Sequence, residues 1–261
     1  MSICARLTPA LLTAALLGFT RIALAGADEC RFGKWMTYNG VAVSRLADGS
    51  AYLYQTSNVA IDADGAPNAY NPRNTGLDFN ANAGLPDHWH NVLAADPHNP
   101  GQPFVQTTGD FAGNYVAKTS LQNPAGAAND PDTYVDARTI PYLVFPGNFD
   151  RIAGTGLMGD LGIAVNRDTG RSSSFIVADI GNASDGLGEM SIALAQALSG
   201  NSRANPRTGA GVPPGDTLYI VFPFSSRAHP VQWPLSWKAI DRDAQALLSA
   251  AGGLAAAQTC R

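Results

Sequence analysis

Two carboxylic acids ten residues apart are the side chains best suited to do chemistry in this chain. Asp179 ends the apolar run 175–177, and regular alternation would place it on the face shared by Phe175 and Val177. A loop rich in Gly, Asn and Asp follows, and Glu189 stands just before an apolar run of helical character, residues 190–198. Of 21 acidic residues only Glu29 and Glu189 are glutamates, so Glu189 is unusual in type and in setting.

Such a pair is suited to the hydrolysis of a glycosidic bond. That reaction needs one carboxyl group that stays protonated near neutral pH and another that stays ionised. An apolar pocket raises the pKa of an acid, whereas a polar loop with free backbone donors lowers it. The residues alone leave two other interpretations open. Glu189 could be a helix-start acid, whose pKa the positive helix end would lower, and Asp179 could cap a turn.

Apolar runs bounded by turn residues predict the strands that would position these acids. The runs are 41–45, 51–55, 140–145, 161–166, 174–180 and 217–222. The segments 142–146 and 219–223 nearly repeat each other, which favours a barrel built from two related halves. We therefore predict a mainly β protein, a single compact six-stranded β-barrel with the double-psi type as a candidate topology, long loops and a few short helices. Ser236 would cap a final helix.

The first 25 residues have the pattern of a secretory signal peptide. Arg6 precedes the apolar segment 11–19, and Ala23-Leu24-Ala25 is a small-residue cleavage site. We predict an exported chain, secreted or periplasmic, with a single catalytic domain over 26–261 and no membrane association after removal of the signal. Two cysteines would then remain, Cys30 and Cys260, and an even pair in an oxidising compartment predicts a disulfide between the ends of the chain.

The charge balance bears on the partners of the protein. The net charge is −4, and it becomes −6 without the two arginines of the signal segment, which argues against nucleic acid. It suits an acidic cleft for a cationic polymer. We expect a monomer.

No motif predicts a metal or a cofactor. The segment 62–65 resembles the start of a calcium loop, but Pro67 and Arg73 stand where such a loop needs Gly and Glu. The glycines at 154, 156 and 159 have dinucleotide-loop spacing, yet they precede a strand where that site requires a following helix.

Several segments, in the same order, resemble the fungal-type chitosanases of glycoside hydrolase family 75. They are Ile61-Asp62-Ala63-Asp64-Gly65, Ile140-Pro141-Tyr142-Leu143-Val144-Phe145, Gly159-Asp160, Ala178-Asp179-Ile180-Gly181 and Gly188-Glu189-Met190-Ser191-Ile192-Ala193-Leu194-Ala195, followed by Leu218-Tyr219-Ile220-Val221-Phe222. The Gly-Glu-x-Ser-Ile segment after an Asp-bearing strand end is the most specific part.

The resemblance implies endo-cleavage of β-1,4 linkages in chitosan with inversion at the anomeric carbon. By the same resemblance Glu189 would be the general acid and Asp179 the general base. Asp62, Asp64 and Asp160 would bind ammonium groups of the polymer, although Asp160 could also serve only to open the strand at Leu161. Two other functions stay open: a non-catalytic secreted carbohydrate-binding protein, and a lytic enzyme that acts on peptidoglycan.

Overall fold

A computed structural model describes residues 30–260 of the chain. The predicted signal peptide, residues 1–25, lies outside the described residues. Within them the chain is mainly β, as predicted, with a few short helices. The strands are β1 (Gly33–Tyr38), β2 (Val41–Arg45), β3 (Tyr52–Thr56), β4 (Ala60–Asp62), β5 (Ala95–Asp96), β6 (Asn99–Pro103), β7 (Tyr142–Phe145), β8 (Leu161–Asn166), β9 (Ser172–Ile180), β10 (Glu189–Ser191) and β11 (Thr217–Phe222). The α-helices are α1 (Ile192–Ser199), α2 (Trp237–Ala250) and α3 (Gly253–Gln258).

Nine of these strands form one sheet in the order β1-β2-β3-β11-β8-β9-β7-β10-β4, and β5 pairs with β6 in a separate hairpin. At the centre β11, β8 and β9 pair antiparallel, and nearly all of their residues are buried. Burial on both faces explains why these strands are continuous apolar runs in the sequence rather than alternating ones. On one side of this centre, β7 runs parallel to β9, and β10 joins β7 to β4.

The predicted closed barrel of six strands is wrong. The sheet has nine strands, and among the described residues no pairing joins its outer strands β1 and β4. The six predicted strands were recognised from apolar runs. β1 is mostly half-buried or exposed, and β4 and β10 have three residues each. β4 and β10 depend on pairing with strands that are distant in the sequence, whereas β1 pairs with its sequence neighbour β2 but has no fully buried residue.

Helices cover part of the sheet and the two ends of the chain are joined. Ser191 caps α1, because its side chain accepts a hydrogen bond from the backbone N–H of Leu194. The helix predicted after Ser236 is α2, which packs on β8 and β9, but α3 follows it and the Ser236 side chain makes no capping hydrogen bond. Cys30 and Cys260 form the predicted disulfide, at a sequence separation of 230. None of the helices formed by residues 30–260 is long and apolar enough to cross a membrane.

Candidate functional site

The pairing of β4, β10, β7 and β9 brings three acids to one face of the sheet. Ser191 of β10 lies opposite Asp62 of β4, and Asp179 of β9 lies opposite Val144 of β7. β7 and β10 are themselves paired. Because side chains alternate along a strand and directly opposed residues share a face, Glu189, Asp62 and Asp179 point to the same side.

A bulge in β9 decides the side on which Asp179 lies. Leu143 is opposite Val177, whereas the next residue, Val144, is opposite Asp179, so β9 contains one extra residue between these pairs. The extra residue reverses the alternation, as bulges beside functional sites commonly do. Asp179 therefore lies on the face opposite to Val177, and the expectation from regular alternation that they share a face is wrong.

Asp62, Asp64 and Asp179 form an acidic cluster. One carboxylate oxygen from each lies within 4.8 Å of the other two. The hydroxyl of Tyr142 lies 3.0 Å from Oδ2 of Asp62, and the hydroxyl of Tyr70 donates to Oδ1 of Asp64 at 2.8 Å. These tyrosines are buried and act as fixed donors beneath the cluster.

Burial and mutual repulsion strongly shift the pKa values of the acids in the cluster. Burial, and then the charges of Glu189 and Asp179, raise the pKa of Asp62 well above its usual value. Burial, and then the charge of Asp62, do the same to the pKa of Asp64. Both shifts disfavour the ionised forms of these carboxyls, whereas a cation in contact would favour them.

Asp179 differs from its neighbours in its hydrogen bonds. Its Oδ1 accepts from the backbone N–H of Ser120 at 2.9 Å, from the Ser120 hydroxyl at 2.7 Å and from the N–H of Ile180 at 2.8 Å. Burial raises the pKa of Asp179, whereas these three donors and the charge of Lys118 oppose that rise. The environment thus supports an ionised carboxylate at Asp179 better than at Asp62 or Asp64.

Glu189 is in the opposite situation. It is partly buried on β10, and burial followed by the charges of Asp185, Asp179 and Asp78 raises its pKa to about 7. Glu189 precedes α1 but belongs to a strand, and the direction of this shift is opposite to that expected of a helix-start acid. Its carboxyl can therefore hold a proton near neutral pH, as a general acid must.

Gly181 gives the Glu189 carboxyl its space. A Cβ atom at this position would lie 3.0 Å from Oε2 of Glu189 and 3.0 Å from Oδ2 of Asp185. A larger residue would press on both carboxyl groups, so the glycine leaves room for their present positions.

Asp160 does not belong to the cluster. It is fully buried, and its carboxylate accepts from the N–H of Leu157, the N–H of Phe224, and the N–H and hydroxyl of Ser226, at 2.6 to 2.9 Å. These bonds join the turn before β8 to the turn after β11. Asp160 has no surface from which to contact a polymer, so its placement supports a structural role and not the predicted substrate contact.

We expect Asp160→Asn to lower the free energy of unfolding by about 3 kcal/mol, because the Asn amide would face buried N–H donors and leave at least one of them unpaired. Denaturant unfolding monitored by circular dichroism measures this loss. The matched control is Asp48→Asn, since Asp48 accepts the same pair of bonds from Ser50 in an exposed turn. An unfolding midpoint of Asp160→Asn equal to that of the wild type would contradict the structural role.

The sequence motifs indicated Asp179, Glu189, Asp62 and Asp64, but not the residues that shift the pKa values of these acids. Tyr142 stands in one of the family-like segments, which was a usable signal. Ser120 and Lys118 lie in a loop segment without any motif, and only the fold brings them to Asp179.

The residues that would hold a divalent cation, if one bound, are those of the acidic cluster, because carboxylate oxygens are its preferred ligands. Several of these oxygens accept from hydroxyl and backbone donors, and we base no step on a metal. Comparisons of the chain with protein-family models and with curated proteins find no match.

Proposed function

We propose that the protein is an exported glycoside hydrolase that cleaves β-1,4 linkages within chitosan or a related cationic glycan. The observation that carries the proposal is the contrast between two acids on one face of the sheet. Glu189 has a pKa raised to about 7, while Asp179 is held by three hydrogen-bond donors on one oxygen. Pairs of carboxyls whose environments separate their pKa values are the usual machinery of glycosidases.

In the proposed reaction Glu189 donates its proton to the glycosidic oxygen as the bond to the anomeric carbon breaks. Asp179 accepts a proton from the water that attacks this carbon from the opposite side, which inverts its configuration. After product release, Asp179 loses its proton to solvent and Glu189 regains one. Inversion requires the two carboxyls to be roughly 6.5–9.5 Å apart, which leaves room for the water.

The preference for a cationic glycan rests on the acidic cluster. Asp62 and Asp64 lie beside Asp179, and a positive partner would offset the repulsion between these acids, which together with burial raises the pKa values of Asp62 and Asp64. An ammonium group of a glucosamine unit supplies this charge and donates hydrogen bonds to both carboxylates. Asp62 and Asp64 are thus the proposed ammonium-binding residues.

One competing function uses the same residues. A non-catalytic protein that binds a cationic glycan would need only the acidic cluster, and it would hold the polymer without releasing new ends. A lytic enzyme that acts on peptidoglycan would release muropeptides instead. Export, which the signal pattern supports, and a monomeric state remain parts of the proposal.

We expect the purified mature chain to release reducing ends from glucosamine hexamer with a bell-shaped dependence on pH. Activity should fall as pH rises through about 7, because Glu189 then loses the proton that it must donate. It should also fall at acidic pH, where Asp179 becomes protonated and no longer accepts a proton from water. Reducing-end release at constant ionic strength from pH 3 to 9 measures both limbs.

Asp185→Asn is the matched control for this profile, because the amino groups of the substrate also titrate. The charge of Asp185 is the largest charge contribution to the raised pKa of Glu189, so its removal should move the alkaline limb to lower pH while the titration of the substrate is unchanged. Hexamer that remains intact at every pH would contradict hydrolysis, and an alkaline limb unmoved by Asp185→Asn would contradict the assignment of Glu189.

A further inference from the structure

The hydrogen bonds of Asp179 are all on one of its two oxygens. Oδ1 accepts three, two of them from Ser120, and the described residues supply no hydrogen-bond donor to Oδ2. A carboxylate held in this way presents the lone pairs of its second oxygen in a fixed direction. That is the arrangement which a base needs in order to take a proton from a bound water.

The segment that carries Ser120 is itself fixed to β9. The N–H of Leu121 donates to the carbonyl of Ala178 at 2.8 Å, and the N–H of Ile180 also lies 3.2 Å from the Ser120 hydroxyl oxygen. The hydroxyl therefore accepts from the backbone of β9 and donates to the side chain of Asp179. Ser120 itself is exposed, so its hydroxyl contributes little to the packing of the fold.

The other charged groups that face Asp179 mostly oppose its ionisation. Asp62 and Asp64 lie within 4.8 Å, and Glu189 interacts with Asp179 through its charge. Lys118 is the described cation whose charge favours the ionised form, and it is partly buried with its Nζ donating to the carbonyl of His90. Burial, and then the charges of Asp62, Asp179 and Asp64, raise the pKa of Tyr142 above its usual value. The donors on Oδ1 counter this repulsion.

We propose that Ser120 is a positioning residue: its hydroxyl holds Oδ1 of Asp179 so that Oδ2 is aimed at the attacking water. The catalytic role of Ser120 in this proposal rests on the proposed glycoside hydrolase function. Ser120 need not touch the reacting atoms, and its effect is exerted through Asp179.

The test compares Ser120→Ala with Ser120→Thr, which keeps a hydroxyl. For glucosamine hexamer we expect kcat of Ser120→Ala to fall about tenfold, as for the loss of one hydrogen bond to a charged group, with KM changed less than about twofold. The acidic limb of the pH profile should move to higher pH, because Asp179 then takes up a proton more easily. Ser120→Thr should restore both kcat and the limb.

Ser50→Ala is the control, because Ser50 donates through its N–H and its hydroxyl to Oδ1 of Asp48 in the same geometry, in the turn between β2 and β3. It should leave kcat and the profile unchanged. Equal effects of Ser50→Ala and Ser120→Ala would overturn the proposal, as would a wild-type kcat and acidic limb in Ser120→Ala, or a failure of threonine to restore them.

A second readout separates this proposal from the proposed function. Carbon-13 NMR titration of the Asp179 carboxyl follows its protonation without any substrate. A pKa of Asp179 that is higher in Ser120→Ala than in the wild type and in Ser120→Thr supports the positioning role even if the hexamer is not cleaved, in which case the proposed function alone has failed. An unchanged titration of Asp179 would overturn the positioning role.

Discussion

Replacing Glu189 by Gln should lower kcat for the cleavage of glucosamine hexamer by about 10²–10⁴-fold, the usual contribution of a general acid. Glutamine has nearly the same shape but no carboxyl proton to donate to the glycosidic oxygen. The change should leave the fold intact, because Glu189 is only partly buried and the charges around it oppose its ionised form. Steady-state kinetics, with circular dichroism as the check on folding, measure the effect.

The nature of the leaving group gives the Glu189 experiment its control. In a 4-nitrophenyl glycoside of a glucosamine dimer, the leaving group is the stable 4-nitrophenolate, which needs little protonation. Glu189→Gln should therefore lose much less activity on this substrate than on the hexamer. A wild-type rate on the hexamer would contradict the assignment outright, and an equal loss on both substrates would show that Glu189 does not act by protonating the leaving group.

Asp179→Asn should also lower kcat for the hexamer by about 10²–10⁴-fold, but for a different reason from Glu189→Gln. The amide oxygen of asparagine still accepts from Ser120 and Ile180, so the local structure should persist. The amide nitrogen, however, cannot accept the proton of the attacking water. Because the loss concerns the water and not the leaving group, it should be the same on the hexamer and on the 4-nitrophenyl substrate.

Asp62→Asn is the matched control for Asp179→Asn, since Asp62 is 8% and Asp179 is 7% exposed in the same cluster. As a proposed ammonium-binding residue, Asp62 should affect KM more than kcat. A decline in kcat as large as that of Asp179→Asn would remove the distinction between base and binding residue. The anomeric form of the first product, observed by proton NMR, is an independent check, because a β-anomer from a β-linkage would contradict inversion.

Much of the scaffold could be predicted, because several of its strands appear as continuous apolar runs in the sequence. The bounds of β8 and β11 match the predicted 161–166 and 217–222, since strands buried on both faces must be apolar throughout. The helix after Ser236, α2, has an apolar stripe in the sequence, and Ile240, Ala244 and Leu248 of that stripe are buried. The disulfide followed from the number of cysteines.

The prediction failed where pairing partners, rather than composition, determine structure. β1 has no fully buried residue and β4 and β10 have only three residues each, and these strands extend the sheet beyond the six predicted ones. Asp160 has the same residue type as Asp62 and also stands in a family-like segment. Its burial, with donors from the distant Phe224 and Ser226, distinguishes the two.

By itself, the sequence determined a mainly β chain, a disulfide between its ends, and Asp179 and Glu189 as the acids of interest. These features depend on residue type and local spacing, which the sequence contains directly. Only the tertiary structure decided which face of the sheet Asp179 occupies, since a single extra residue in β9 moves the Asp179 side chain to the opposite face. The tertiary structure also determined the direction in which the pKa of each acid is shifted. Burial and the charges of Asp185, Asp78 and Lys118 act through space, and their sum on a carboxyl depends on distances that the order of residues does not contain.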